Sequence, residues 1–145
     1  DMLLHAKRCV SNNMLLASGN GCAVDIEAYP NGANVLAPSG GILTHANHFV
    51  VHQYLDSRVG PKNRDLRLEE LLRKRAGQID VSYIMECMKD HEYYPESICA
   101  HNTSLPGREM IDFMTVASII VDFKHQKAFI CAGPPCEGEY QAYEL

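Results

Sequence analysis

Apolar and polar positions along this chain change period several times, and each change marks an element. Residues 2–10 place apolar side chains at helical spacing and run into the polar cluster Ser11-Asn12-Asn13, so an opening helix is expected there. Residues 14–18 are short and apolar and close at Gly19-Asn20-Gly21, where glycine and asparagine tolerate positive φ. A hairpin follows, its second strand over residues 22–29. There Cys22, Val24, Ile26 and Ala28 alternate with Ala23, Asp25, Glu27 and Tyr29, a period of two with one buried face. Pro30-Asn31-Gly32 makes another turn, residues 33–37 a short strand, Pro38-Ser39-Gly40-Gly41 a third turn, and residues 42–51 a further strand.

The period then lengthens. Leu66, Leu68, Leu71 and Leu72 form a helical stripe over residues 64–76, stopped by Gly77. Asp80 suits the N-cap of a second helix over residues 81–91, with Ile84, Met85, Cys87 and Met88 as its apolar side. Pro95 breaks the chain, residues 97–101 are a short extended piece, and Leu105-Pro106-Gly107 marks an exposed loop. Residues 114–123 and 127–132 are β-rich and joined by Lys124-His125-Gln126 as a hairpin; Gly133-Pro134-Pro135 ends it, because proline has no N–H for the ladder. Helix, strands, two helices and strands make an α+β plan with a mainly antiparallel sheet, and no repeat or linker divides residues 1–145, so one domain or part of one is expected.

Composition narrows the class. The 145 residues are 46% hydrophobic and 21% charged, which fits an ordinary folded domain and sets aside disorder, collagen and membrane classes. The apolar run over residues 116–121 is far short of a bilayer span, and no signal-peptide pattern opens the chain. With a net charge of -5, and acidic residues interleaved with the basic ones of residues 64–75, a nucleic-acid surface is not expected. The 6 cysteines are irregularly spaced without a CxxC pair and read as free thiols of a reducing compartment, the cytoplasm, against the weak opposing hint of the Asn102-Thr103-Ser104 sequon. Asp1 opens the chain without an initiator methionine and within a helical pattern, which points to a piece of something longer; a trimmed boundary would look the same.

The stretch Gly41-Ile42-Leu43-Thr44-His45-Ala46-Asn47-His48-Phe49 resembles a signature of the isopenicillin-N acyltransferase-like family of N-terminal-nucleophile (Ntn) hydrolases, a glycine-led strand ending in His-Thr-Asn-His or His-Ala-Asn-His. Other blocks agree in order. Ser18-Gly19-Asn20-Gly21 with Ile26-Glu27 and Pro30 is similar to the preceding hairpin, and the stretch from Asn63-Arg64 through Leu72 to the arginine-bearing helix. Tyr94-Pro95 with Ser97-Ile98-Cys99 is similar to the extended piece, and the run from Met114 to Ile120 with Ala132-Gly133-Pro134-Pro135-Cys136 to the closing hairpin and its exit. The resemblance implies an αββα sandwich of two antiparallel sheets between helical layers, of which this chain is the C-terminal portion. It also implies self-cleavage at a Gly-Cys bond that frees an N-terminal cysteine, whose thiolate attacks an acyl substrate with its own α-amino group as base.

On that resemblance Asn47 is the catalytic residue expected here, the oxyanion-hole donor for a carbonyl under attack; the plainer reading is that it satisfies a backbone group at a strand end. The resemblance also implies that the nucleophile, its supporting aspartate and the first part of both sheets belong to a preceding segment or chain. Gly21-Cys22 imitates the scissile pair, but its block is the hairpin before the signature, and the alternation makes Cys22 an inward-facing core thiol. His45, His48 and His52 raise a metal site, yet on a strand His45 and His48 face opposite sides and two ligands underfill a site, so packing and hydrogen bonding are expected instead. Cys99 and Cys136 read as structural, with Cys136 partly exposed after the Pro-Pro pair; Ala100 stands where many relatives carry arginine; Arg64 and Arg67 read as ordinary surface ion pairs.

The implied function is therefore the C-terminal portion of a cysteine-dependent amide hydrolase or acyltransferase acting on small N-acyl or acyl-thioester substrates. Its implied partners are a small-molecule acyl substrate and the segment carrying the nucleophile, with no membrane, nucleic acid, cofactor or metal. A different reading is a truncated, non-catalytic module that forms homo-oligomers through open sheet edges.

Overall fold

A computed structural model of the chain describes residues 4, 6–56, 63–102 and 114–145. Most of residues 2–5 of the expected opening helix, the loop at 105–107 and the Thr103-Ser104 part of the sequon lie outside the described residues; residues 6–10 are not helical. Among the described residues the structure is α+β, with two antiparallel three-stranded sheets and two α-helices of defined bounds. Its contacts group into two compact units, Asp1–Lys62 and Asn63–Leu145.

In the first unit β1 (Asn12–Ala17), β2 (Ala23–Tyr29) and β3 (Gly32–Leu36) form a sheet in that order. The β1–β2 turn is closed by Gly21 N–H on the Ser18 carbonyl at 3.0 Å and Ser18 N–H on the Cys22 carbonyl at 2.9 Å. Gly21 sits at φ +86°, where only glycine is unstrained. The β2–β3 turn brings Tyr29 opposite Gly32, and a Cβ on Gly32 would lie 2.9 Å from the Tyr29 hydroxyl, so the bare backbone makes room for the ring. Met14 and Val35 flank Ile26 on one face of β2. The other face of β2 is not solvated as alternation predicts: Asp25 is 0% and Glu27 1% exposed.

The strand expected over residues 42–51 does not form. A single bridge joins Ser39 and Ile42, and the chain runs on irregularly to a 3₁₀ turn at Gln53–Leu55. Its backbone N–H groups turn to a buried carboxylate instead of a neighbouring strand, as described below.

In the second unit α1 (Arg64–Lys74) and α2 (Val81–Cys87) precede a sheet of β4 (Ala117–Asp122), β5 (Lys127–Ala132) and β6 (Gln141–Glu144), in the order β4-β5-β6. α1 ends in three-residue bonds from Arg75 and Ala76, and Gly77 follows at φ +82°. Asp80 caps α2, its side chain accepting from Tyr83 N–H at 2.7 Å. α2 is shorter than its apolar pattern, because Lys89 and Asp90 tighten to three-residue bonds and the Asp90 carbonyl turns away to accept Cys99 N–H at 3.0 Å. The Tyr83 hydroxyl donates to the Leu71 carbonyl at 2.6 Å, tying α2 to α1.

Residues 97–99 are bends and residues 100–101 irregular, so no strand forms over the expected extended piece. Ala100 N–H donates to Thr115 Oγ1 at 3.0 Å, and Thr115 N–H to the Ala100 carbonyl at 2.9 Å. That use of Thr115 is why β4 begins later than the β-rich run. On β4, Ser118 and Ile120 are buried, and the Ser118 hydroxyl accepts from Tyr140 at 2.7 Å. Gly138 is sterically required: a Cβ there would meet Cys131 Sγ at 2.6 Å and the Ala132 carbonyl at 2.8 Å. β6 was not expected; its residues are all exposed, so no apolar alternation announces it.

Candidate functional sites

The irregular segment of the first unit is organised around Glu27. One Glu27 oxygen accepts from Val50 N–H and, at 3.0 Å, from His45 Nε2; the other accepts from Val51 N–H at 3.1 Å. Asp25, two residues back on the same face of β2, lies 3.6 Å from His45 Nε2 and receives both carboxylate contacts of the Asn13 amide at 2.8 and 2.9 Å. His45 is itself 5% exposed at its side chain. Burial pushes the Glu27 carboxyl up, but His45 and the two backbone N–H groups outweigh it and hold it below the usual range.

This arrangement grips the segment on both sides of Asn47. His45 is fixed two residues before it, Val50 and Val51 shortly after it, and Asn47 stands exposed between them. Asn47 is thus at a bend of an anchored loop rather than at a strand end. The histidines differ from expectation for the same reason. The His45 and His48 rings stack at 6.1 Å instead of facing opposite sides. His52 packs on Tyr29 at 5.5 Å.

Cys22 is exposed, not an inward-facing core thiol. β2 begins one residue later, at Ala23, and the Cys22 backbone belongs to the turn, its N–H donating to Asn20 Oδ1 at 3.1 Å. The turn chemistry outweighs the apolar alternation at that position.

The second unit assembles a cluster that the sequence did not announce. His91 follows α2, Cys99 lies on the bends after Pro95 with His101 in the irregular stretch that follows, and Cys136 sits in the turn beyond β5. His101 Nε2 is 3.0 Å from His91 Nε2, 3.7 Å from Cys99 Sγ and 3.2 Å from Cys136 Sγ, and the two sulfurs are 3.5 Å apart. On its other nitrogen, Nδ1, His101 lies 3.3 Å from Glu137 Oε1. Cys99 is fully buried, and desolvation pushes its thiol up to about 11, which makes it a poor nucleophile at neutral pH. The one available signal was Cys99-Ala100-His101, with His91 shortly before it and Cys136 far off in sequence.

No protein-family model matches the chain, and no curated protein matches it in sequence.

Arg67 does more than pair along its helix. Its Nε contacts both oxygens of Asp90 at 3.2 Å and its Nη2 reaches Oδ2 at 2.7 Å, while Nη1 holds Glu70 at 2.9 Å. A pocket of about 380 Å³ lies in the same unit, lined by Arg64, Met88, Ile98, Thr115, Ser118 and Pro135 among others, a size that suits a small ligand. All six cysteines are free thiols, and no helix among the described residues is long and apolar enough to cross a membrane.

Proposed function

We propose that this chain is the C-terminal portion of a cysteine-dependent amide hydrolase or acyltransferase of the isopenicillin-N acyltransferase-like kind. Asn47 is its oxyanion-hole donor, and a preceding segment supplies the nucleophilic cysteine. The observation that carries the reading is Asn47 exposed on a loop clamped to Glu27 through His45, Val50 and Val51. An oxyanion donor must be accessible yet held before the charge arrives, since reorganising it during the reaction would forfeit the gain. The anchoring meets the second need and the exposure the first.

In the proposed reaction the thiolate adds to the acyl carbonyl, and the developing negative charge falls on the carbonyl oxygen, where the Asn47 amide donates. Collapse expels the amine or thiol, and water or an acceptor amine resolves the acyl-enzyme. The substrate is a small N-acyl compound or acyl thioester. The αββα sandwich belongs to this proposal; it is supported by the apolar row Ile119 and Val121 on β4, left 63% and 44% exposed, which a further layer would cover.

The test is kinetic. Intact mass and sequencing of the native material identify the N-terminal-cysteine segment, and that preparation is assayed with N-acyl amino acids and acyl thioesters. Asn47→Ala is expected to lower kcat about 100- to 1,000-fold with little change in KM; Cys22→Ala is expected to leave the rate unaltered. Loss of activity with Cys22→Ala and its retention with Asn47→Ala would overturn the reading. The alternative, a non-catalytic module that oligomerises through the outer strands β1, β3, β4 and β6, predicts self-association on native sizing and no turnover.

A further inference from the structure

We infer that His91, Cys99, His101 and Cys136 form a closed, four-ligand binding site for a zinc ion. The inference uses only residues of the Asn63–Leu145 unit and stands apart from the acyl-transfer reading.

One ligand atom from each of the four residues falls within 4.8 Å of every other. Tetrahedral zinc with sulfur at about 2.3 Å and nitrogen at about 2.05 Å requires edges of roughly 3.8 Å between sulfurs, 3.6 Å between sulfur and nitrogen and 3.3 Å between nitrogens. The measured edges are 3.5 Å for the sulfurs, 3.7 and 3.2 Å for the sulfur–nitrogen pairs and 3.0 Å for the nitrogens. These four of the six edges lie within a few tenths of an ångström of their targets, the two from His91 to the sulfurs stay within 4.8 Å, and opening the contracted ones outward creates the central space. Ordinary packing has no reason to converge two imidazole nitrogens and two thiols on one point.

The donor set selects the metal. Two thiolates and two neutral imidazoles suit a borderline-soft ion of tetrahedral habit, whereas calcium and magnesium require oxygen donors. Binding is balanced by release of the two thiol protons to solvent, so the charge of the ion is cancelled by two thiolates. With every position taken by protein, no place is left for water or substrate, which makes the site structural rather than hydrolytic.

The ligands are also held from behind. His101 Nδ1 faces Glu137 at 3.3 Å, which leaves Nε2 for the metal, as an outer carboxylate commonly does for a ligating histidine. Cys99 is fixed through its N–H on the Asp90 carbonyl at 3.0 Å and its carbonyl on the Ser97 hydroxyl at 2.6 Å. The Cys136 turn is closed by Glu137 N–H and Gly138 N–H on the Pro134 carbonyl at 3.0 and 3.1 Å. A bound ion would join the segment after α2, the stretch after Pro95 and the turn beyond β5.

The experiment is metal analysis of the full 145-residue chain, purified without chelator or affinity metal, followed by titration of the metal-free protein with zinc against a chromophoric chelator and with cobalt followed by absorbance. One zinc per chain is expected, with the intense visible bands and thiolate charge transfer of tetrahedral cobalt. Cys136→Ser and His91→Ala alter exposed ligands and should leave the fold intact while weakening zinc at least tenfold; Cys22→Ser, an exposed cysteine elsewhere, should bind as the parent does. The inference fails if the parent binds no zinc more tightly than the Cys136→Ser variant. It fails equally if cobalt gives a spectrum without thiolate charge transfer, or if Cys99 and Cys136 form a disulfide in zinc-loaded protein.

Discussion

Arg67 grips both carboxylate oxygens of Asp90, 23 residues away, at 2.7–3.2 Å. The contact spans two elements, with 17% of the Arg67 side chain and 14% of the Asp90 side chain exposed. Ordinary surface pairing along α1 was expected of this arginine. Its Asp90 partner could not be read from the helix, because the contact depends on the turn after α2 bringing a distant residue back.

Removing the arginine leaves a half-buried carboxylate without its main partner. Arg67→Met should cost about 2 kcal/mol, since hydrogen bonds to charged groups are worth more than neutral ones and some solvent remains to soften the loss. Urea unfolding of Arg67→Met, Asp90→Asn and the double variant checks it; the double variant should be less destabilised than the sum of the two.

Acid should unfold the protein through two carboxylates. Burial works against ionisation of Asp90 and Glu27, but Arg67 with Glu92 N–H, and His45 with two backbone N–H groups, hold their folded pKa values below the ordinary 3.8 and 4.5. The unfolded chain then binds more protons near pH 4, so this stability is complete above the ordinary values and is lost as pH falls through the lower folded ones. Urea midpoints should be flat in this respect above about pH 5 and drop below about pH 4.5. Asp90→Asn and Glu27→Gln should each flatten that drop; unchanged slopes in both variants would contradict the assignment.

Glu27→Ala has a sharper consequence, because Val50 N–H, Val51 N–H and His45 all lose their acceptor at once. A loss of about 2 kcal/mol is expected from stranding part-buried donors. Hydrogen exchange at the Val50 and Val51 amides should accelerate far more than exchange in β1 or β3, and the Asn47 loop should loosen with it.

Thiol reactivity should sort by exposure. In native metal-free protein Cys9 and Cys22 should alkylate rapidly, while Cys87 and Cys131 should be protected until unfolding. Peptide mapping after brief iodoacetamide treatment separates the classes. Rapid labelling of Cys131, which lies against Gly138, would contradict the packing described.

Much of the fold was legible because it rests on local signals. Gly21, Gly77, the Asp80 cap and the β-rich run at 127–132 each report a backbone demand met within a few residues. Two of the misreadings share a cause: long-range partners overrode the local pattern. The apolar run over residues 42–51 became a loop because Glu27 captured its N–H groups. The run at 114–116 was diverted to Ala100. Cys22 differs, because its own turn, through Asn20 and Ser18, outweighed the alternation. The His91, Cys99, His101 and Cys136 cluster was illegible for a related reason: its members come from separate segments, and only the pairing of folded turns shows that they converge.

The two acids on the inner face of β2 also decide how that strand may align. If β2 slipped by one position, Asp25 and Glu27 would exchange sides with Ile26 and Ala28. His45 and the Asn13 amide would then confront hydrocarbon, and the carboxylates would be pressed against Met14 and Val35. An all-apolar strand would slide with little penalty. These charges make the wrong alignment expensive, and so they serve the uniqueness of the sheet as much as its strength.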